Sequence, residues 1–202
     1  MSVNKSVRVA LELFREHGGT LQTREALRLG IHPRTLYMMR DAGILQQLGR
    51  GLYRLAELPL PAEPDLLVVA YQLPTAVICL VSALAFYELT TQIPHTVDIA
   101  VSRGSRRPVM DYPPLRVFWF SGPAWTEGIE THAIEGANLR VYAPAKTIAD
   151  CFKYRNKIGL DIALEALMRY RQQPEFSIDL LIRYAEICRV KHVMEPYIES
   201  LV

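Results

Sequence analysis

Arg34, Thr35 and Met38 follow closely on His32-Pro33, and Arg50 stands between two glycines. On the early turns of a helix laid in a DNA major groove, side chains of these types face base edges. An arginine there bonds guanine bidentately, at about 1–3 kcal/mol of discrimination, which makes Arg34 the foremost candidate for base contact, with Thr35 and Met38 beside it. Arg24, Arg28, Tyr37 and Arg40 are placed to hold phosphates. Arg50 would reach an adjacent minor groove or a further phosphate. The same residues would also suit a solvated surface, or a module that contacts protein.

Other clusters offer less chemistry. Lys146 and Asp150 lie four apart on an expected helix and are followed by Lys153, Arg155 and Lys157, which together could face an anionic partner or a nucleotide. A surface pair at that spacing is worth only about 0.2–0.5 kcal/mol and needs no function, so a structural role is favoured for Lys146 and Asp150. Arg103, Arg106 and Arg107 fall within five residues on an expected loop and could bind phosphate. Asp98, with Glu88 before it, lacks a second acid at a metal-ligand spacing, and His17, His32, His95, His132 and His192 are scattered. The expectation is therefore no catalytic residue, no metal site and no cofactor.

The elements that would position the first cluster follow from apolar spacing. Val7, Val9, Ala10, Leu11, Leu13 and Phe14 predict a first helix that ends at His17-Gly18-Gly19. Thr23 is expected to cap a second helix ending at Gly30. Pro33 opens a third, with Leu36 and Met39 turned inward. Residues 44–48 and 52–55 flank Gly49-Arg50-Gly51 as a hairpin. Three helices and a hairpin in this order predict a winged helix-turn-helix over residues 1–58.

Residues 59–64 contain three prolines and predict a linker, leaving residues 65–202 as a second domain. There, a helix over 65–72, a buried strand over 76–80 and a helix capped by Ser82 precede two half-buried strands over 96–101 and 115–119. Two more strands are expected at 129–134 and 139–142. Helices follow over 144–152, 160–171, from Ser177 to about 188, and 193–201. The fold class is α+β: a winged helix joined to a small sheet with a helical end.

Net charge divides at this boundary. Residues 1–58 carry nine Lys/Arg against five Asp/Glu, whereas residues 59–202 carry fourteen against sixteen. A basic module attached to a mildly acidic one suits nucleic-acid binding joined to a separate task. With 50% apolar and 22% charged residues, the chain has the composition of a folded protein, not a disordered one. The stretch 76–84 is too short to span a membrane, so the protein is expected to be cytoplasmic. Cys79, Cys151 and Cys188, each among apolar neighbours, are expected to be buried free thiols.

Three blocks resemble a known family. They are Gly49-Arg50-Gly51-Leu52-Tyr53-Arg54; the run from Val81 to Thr90 with Gln92-Ile93-Pro94 after it; and Tyr142-Ala143-Pro144-Ala145-Lys146-Thr147-Ile148-Ala149-Asp150-Cys151-Phe152. In this order they resemble the AbiEi antitoxins of abortive-infection, type IV, toxin-antitoxin systems, over nearly the whole chain. The resemblance implies a winged helix that represses its own operon at promoter repeats and a C-terminal domain that counteracts a nucleotidyltransferase toxin, with or without direct contact. It implies double-stranded promoter DNA as partner and no enzymatic activity. A ligand-responsive winged-helix regulator and a nucleic-acid enzyme are the competing readings.

Overall fold

The computed structural model describes residues 5–201, which divide into two compact units. The first contains residues through Pro74 together with Met110–Pro113 and Ala133–Leu139, and the second contains the rest. The expected boundary at Pro59 thus lies short of the observed one by a helix.

In the first unit, α1 (Lys5–Glu16) buries Val7, Ala10 and Phe14, the inward stripe of an amphipathic helix. Gly18 and Gly19 take the left-handed conformation that ends it, and the Gly19 N–H donates to the Phe14 carbonyl at 2.7 Å. The chain then forms a strand, β1 (Thr20–Gln22), which is too short for an alternating pattern to reveal. Next come α2 (Thr23–Arg28) and α3 (Pro33–Asp41), followed by the hairpin of β2 (Leu45–Gly49) and β3 (Leu52–Leu55). The sheet order is β1-β3-β2, antiparallel throughout, with Leu21 opposite Tyr53 and Leu45 opposite Leu55. Phe14, Leu21, Ala26, Ile31, Leu36, Met39 and Leu45 close one core between the helices and this sheet.

Thr23 does not cap α2. Gln22 holds the capping position without a side-chain bond, and the Thr23 hydroxyl instead donates to the Gly51 carbonyl at 3.2 Å. The Thr23 backbone N–H donates to the same carbonyl at 2.8 Å, so the hairpin turn is fastened to the start of α2 by two bonds. On its other side, α4 (Pro64–Gln72) braces the hairpin. The Gln72 amide donates to the Arg50 carbonyl at 3.3 Å, and a Cβ on Gly49 would lie 2.9 Å from that amide and 3.1 Å from a Val68 methyl. This close packing is why residues 64–72 join the first unit and do not begin the second.

The second unit is a sheet with helices. It comprises β4 (Val77–Ile78), α5 (Leu80–Phe86), β5 (Val97–Ser102), β6 (Leu115–Phe120), α6 (Pro123–Thr126), β7 (Ile129–Ile134) and β8 (Ala137–Tyr142), less the hairpin tip counted above. Then come α7 (Pro144–Lys153), α8 (Arg155–Ile158), α9 (Leu160–Tyr170), α10 (Ile178–Ile187) and α11 (Lys191–Glu199). The sheet order is β6-β5-β4-β8-β7, with β5 parallel to β6 and antiparallel to β4. α7 is central: every residue from Ala145 to Phe152 is buried, and α5, α9, α10 and α11 all pack on it.

Two sequence expectations change here. β5 is not half-buried but buried along Val97–Val101, because the polar residue read as outward, Asp98, is enclosed and neutralised. Arg116 grips it with two bonds of 2.6 Å, and the Val81 N–H donates to it at 3.1 Å. Ser82 does not cap α5, whose capping position is Cys79. Its hydroxyl donates to the Thr96 carbonyl and accepts from the Asp98 N–H at 2.8 Å, pinning α5 to β5.

The three cysteines are free and buried, and burial pushes the Cys79 and Cys151 thiols well above their ordinary range. Among the described residues no helix is long and apolar enough to cross a membrane.

The fastening at Gly51 has a measurable energy. Gly51 and Gly43 both have positive φ, 67° and 70°. Alanine at either site therefore pays the left-handed cost of about 1–2 kcal/mol. Only at Gly51 would the new Cβ press on the Thr23 hydroxyl, at 3.2 Å, whereas nothing lies within 4 Å at Gly43. Denaturant unfolding should show Gly51→Ala losing more stability than Gly43→Ala; equal losses would mean that the fastening carries no net energy.

Candidate nucleic-acid interface

α3 is set by its ends. Pro33 occupies its first turn, where a missing N–H costs nothing, and the His32 ring accepts the Arg34 N–H at 3.2 Å as a cap. Leu36 and Met39 are fully buried, which fixes the roll of the helix and leaves Arg34, Tyr37, Met38 and Arg40 exposed. Tyr37 and Met38 are 44% and 42% exposed, so two large apolar groups are held in water beside an arginine. Such a face is suited to meeting the edges and sugars of a duplex.

The sequence-predicted residues are not all brought together. Arg34, Tyr37 and Met38 line one concave surface of α3 with His32 and Asp41. Thr35 is half-buried and lines a groove beside Val9, Ala10 and Leu13 of α1. Arg40 shares the exposed side but is engaged: it pairs with Asp41 at 2.7 Å, and its guanidinium lies 5.2 Å from the centre of the Tyr37 ring. The Asp41 carboxylate beside it holds the Arg40 guanidinium above its ordinary range. Arg28 sits loosely by Glu25 at 3.8 Å on α2. Arg24 and Arg50 are exposed, and no ion pair engages Arg24, Arg34 or Arg50 among the described residues.

Arg50 occupies the hairpin turn, which makes that hairpin a wing. Its backbone is held from both sides, by Gln72 on its own carbonyl and by Thr23 on the next one. The wing therefore offers a long cation from a fixed turn. Sequence reasoning passed over this support, since Thr23 read as a helix cap and Gln72 as part of another domain. It also passed over Gln46 and Gln47, exposed side chains on β2. Two adjacent glutamines between leucines were the available signal.

In the second unit the expected cations separate into four groups. Lys146 is fully buried and pairs with the equally buried Asp150 at 2.5 Å, with its ammonium 4.1 Å from the centre of the Tyr142 ring. It therefore cannot meet an outside partner, which corrects its inclusion among the contact candidates. Burial pushes the Asp150 carboxyl up, while Lys146 and the Cys188 thiol, 3.1 Å away, pull it down. Arg103, Lys153 and Arg155 line one cavity. Arg106 and Arg107 are exposed on the loop after β5, and Lys157 lies beside Tyr154 and Arg116 on a different surface.

Asp98, the residue weighed for metal chemistry, spends both oxygens on Arg116 and the Val81 N–H. No cluster of His, Cys, Asp and Glu that could hold a metal occurs among the described residues.

Residues 8–56 match the family described as transcriptional regulator, AbiEi antitoxin. The match spans α1 through the wing, the elements that carry the face just described. In a search of solved structures, the crystal structure of RV2827C protein from Mycobacterium tuberculosis is similar, with a TM-score of 0.62 and 14% identity over 90% of this chain and 71% of that one. At that identity the likeness is one of fold. No curated protein matches the chain. The likeness to the AbiEi antitoxin transcriptional regulators is thus a likeness of the winged helix.

Proposed function

We propose that the protein binds double-stranded promoter DNA of its own operon through α3 and the wing, acting as an autorepressor, and that its second unit counteracts a nucleotidyltransferase toxin. One observation carries the first half. A winged helix matched to a family of transcriptional regulators leaves Arg34, Tyr37 and Met38 exposed on α3 and Arg50 at a braced turn, with neither arginine in an ion pair among the described residues. In this reading Arg34 reads a base, and Met38 contacts a base edge. Arg24, Arg28, Tyr37 and Arg40 hold phosphates, and Arg50 enters the adjacent minor groove or meets a phosphate. Thr35, half-buried on the α1 side, is the third candidate for base contact.

The toxin half rests on the antitoxin family of the winged helix. Buried charges in α7 fit an architectural role for the Lys146–Asp150 block there. A second reading, a regulator whose second unit senses a small molecule, is favoured by the cavity at Arg103, Lys153 and Arg155. Loss of DNA binding on adding a metabolite extract would select it.

In a gel shift at fixed salt, the protein should retard its own upstream DNA ahead of a scrambled duplex. Arg34→Ala should weaken the complex by about 1–3 kcal/mol and narrow the preference between the two DNAs. Arg50→Ala should weaken both DNAs similarly if it meets a phosphate. Equal, feeble binding to both DNAs by the unaltered protein would make the winged helix a protein-contact module. For the second half, co-expression with a nucleotidyltransferase encoded beside it should restore growth, and restoration should survive Arg34→Ala. Continued growth arrest would refute the antitoxin role.

A further inference from the structure

The second unit holds a cavity of about 630 Å³ into which four separate elements bring cations: Arg103 after β5, Lys153 at the end of α7, Arg155 on α8, and Arg189 after α10. No aspartate or glutamate lines it, and Pro123 and Val190 form part of an apolar wall. A cavity of this size falls in the range that takes small molecules. Among the described residues no ion pair engages Arg103, Lys153, Arg155 or Arg189; Arg155 donates to the Phe152 carbonyl at 2.9 Å. Cations brought to one cavity from four elements raise the local concentration of an anion, and an anion bound there would stabilise the fold.

Arg189 adds an independent observation. It sits just past the end of α10 at φ +59°, with its N–H donating to the Glu186 carbonyl at 3.0 Å and the Val190 N–H to the Ala185 carbonyl at 2.8 Å. This is the helix-ending turn that glycine fills without strain. An arginine there is held against its backbone preference, and it is one of the residues that line the cavity.

We propose that this cavity is a binding site for a small polyphosphate, with the phosphate chain on Arg103, Lys153, Arg155 and Arg189 and any attached nucleoside against the Pro123 and Val190 wall. Guanidinium groups meet phosphate oxygens in pairs, and an apolar wall beside them suits a base. The site is independent of the DNA-binding reading, because none of its residues belongs to the winged helix.

The test is isothermal titration of the full chain with tripolyphosphate, ATP and GTP, in parallel for the unaltered protein, Arg189→Gly, Arg103→Ser and Arg34→Ala. The unaltered protein and Arg34→Ala should bind alike. Both Arg189→Gly and Arg103→Ser should lose at least about tenfold in affinity, as expected for a lost charged hydrogen bond. Arg189→Gly relieves the strained turn, so its melting temperature should hold or rise, and its loss of binding would not come from unfolding. Tighter binding of a nucleotide than of tripolyphosphate would assign the wall to a nucleoside, and equal binding would assign the site to the phosphate chain alone. Absence of saturable binding by all three probes, or Arg189→Gly binding like the unaltered protein, would overturn the proposal. So would displacement of bound tripolyphosphate by a short duplex of arbitrary sequence, which would make the cavity a contact for a nucleic-acid backbone. A gel shift of Arg189→Gly on upstream DNA separates this outcome from failure of the promoter reading.

Discussion

The Gly51 carbonyl accepts two bonds from Thr23, one from the backbone and one from the hydroxyl, and the placement of the wing depends on them. Without this fastening the hairpin would be held to the helices only by its strands and by α4. With it, the turn that carries Arg50 is tied to the first residue of α2, and α2 leads through the Gly30 turn to α3. The cation of the wing and the face of α3 are thereby tied into one frame. Rigid presentation lowers the entropy lost when several side chains must meet one duplex together. Gly51 itself is required twice, by its left-handed backbone and by the close approach of Thr23.

In the second unit the corresponding constraint is buried charge. Lys146 and Asp150 are both fully enclosed, and removal of either alone would strand the other at a cost of about 3–5 kcal/mol. Asp98 is held in the same way by Arg116, and Ser82 ties its backbone to α5. These pairs make α7 and β5 the fixed elements of that unit. The Lys-Thr-x-x-Asp block is therefore architecture: the Thr147 hydroxyl donates to the Tyr142 carbonyl at 2.8 Å, joining the helix to the strand before it.

Much of the fold was legible because periodicity reports burial directly. The inward stripe of α1, the proline at the start of α3 and the serine that caps α10 all stand where spacing placed them. What was hidden were choices between two local uses of one side chain. Thr23 and Ser82 have the chemistry of helix caps, yet each bonds a distant segment, and only tertiary structure decides between these uses. β1, with three residues, has no period to read. α4 was visible as a helix, but its allegiance to the wing lay in the close approach at Gly49. The exposure of Arg34, Tyr37, Met38 and Arg50 was legible by position in the motif, whereas the half-burial of Thr35 beside α1 was not. Lys146 shows the limit of charge reading, because a lysine four residues from an aspartate looks alike on a surface and in a core.

As proposed, α3 and the wing form a DNA-binding surface dominated by arginine-to-phosphate contacts and sharpened by Arg34. The most direct measurement is the affinity of the protein for its own upstream duplex across a range of salt concentrations. If about four to six phosphates are neutralised, log affinity should fall against log salt with a slope of roughly −4 to −5. A slope near zero would contradict the account and leave the exposed face of α3 as a surface for protein.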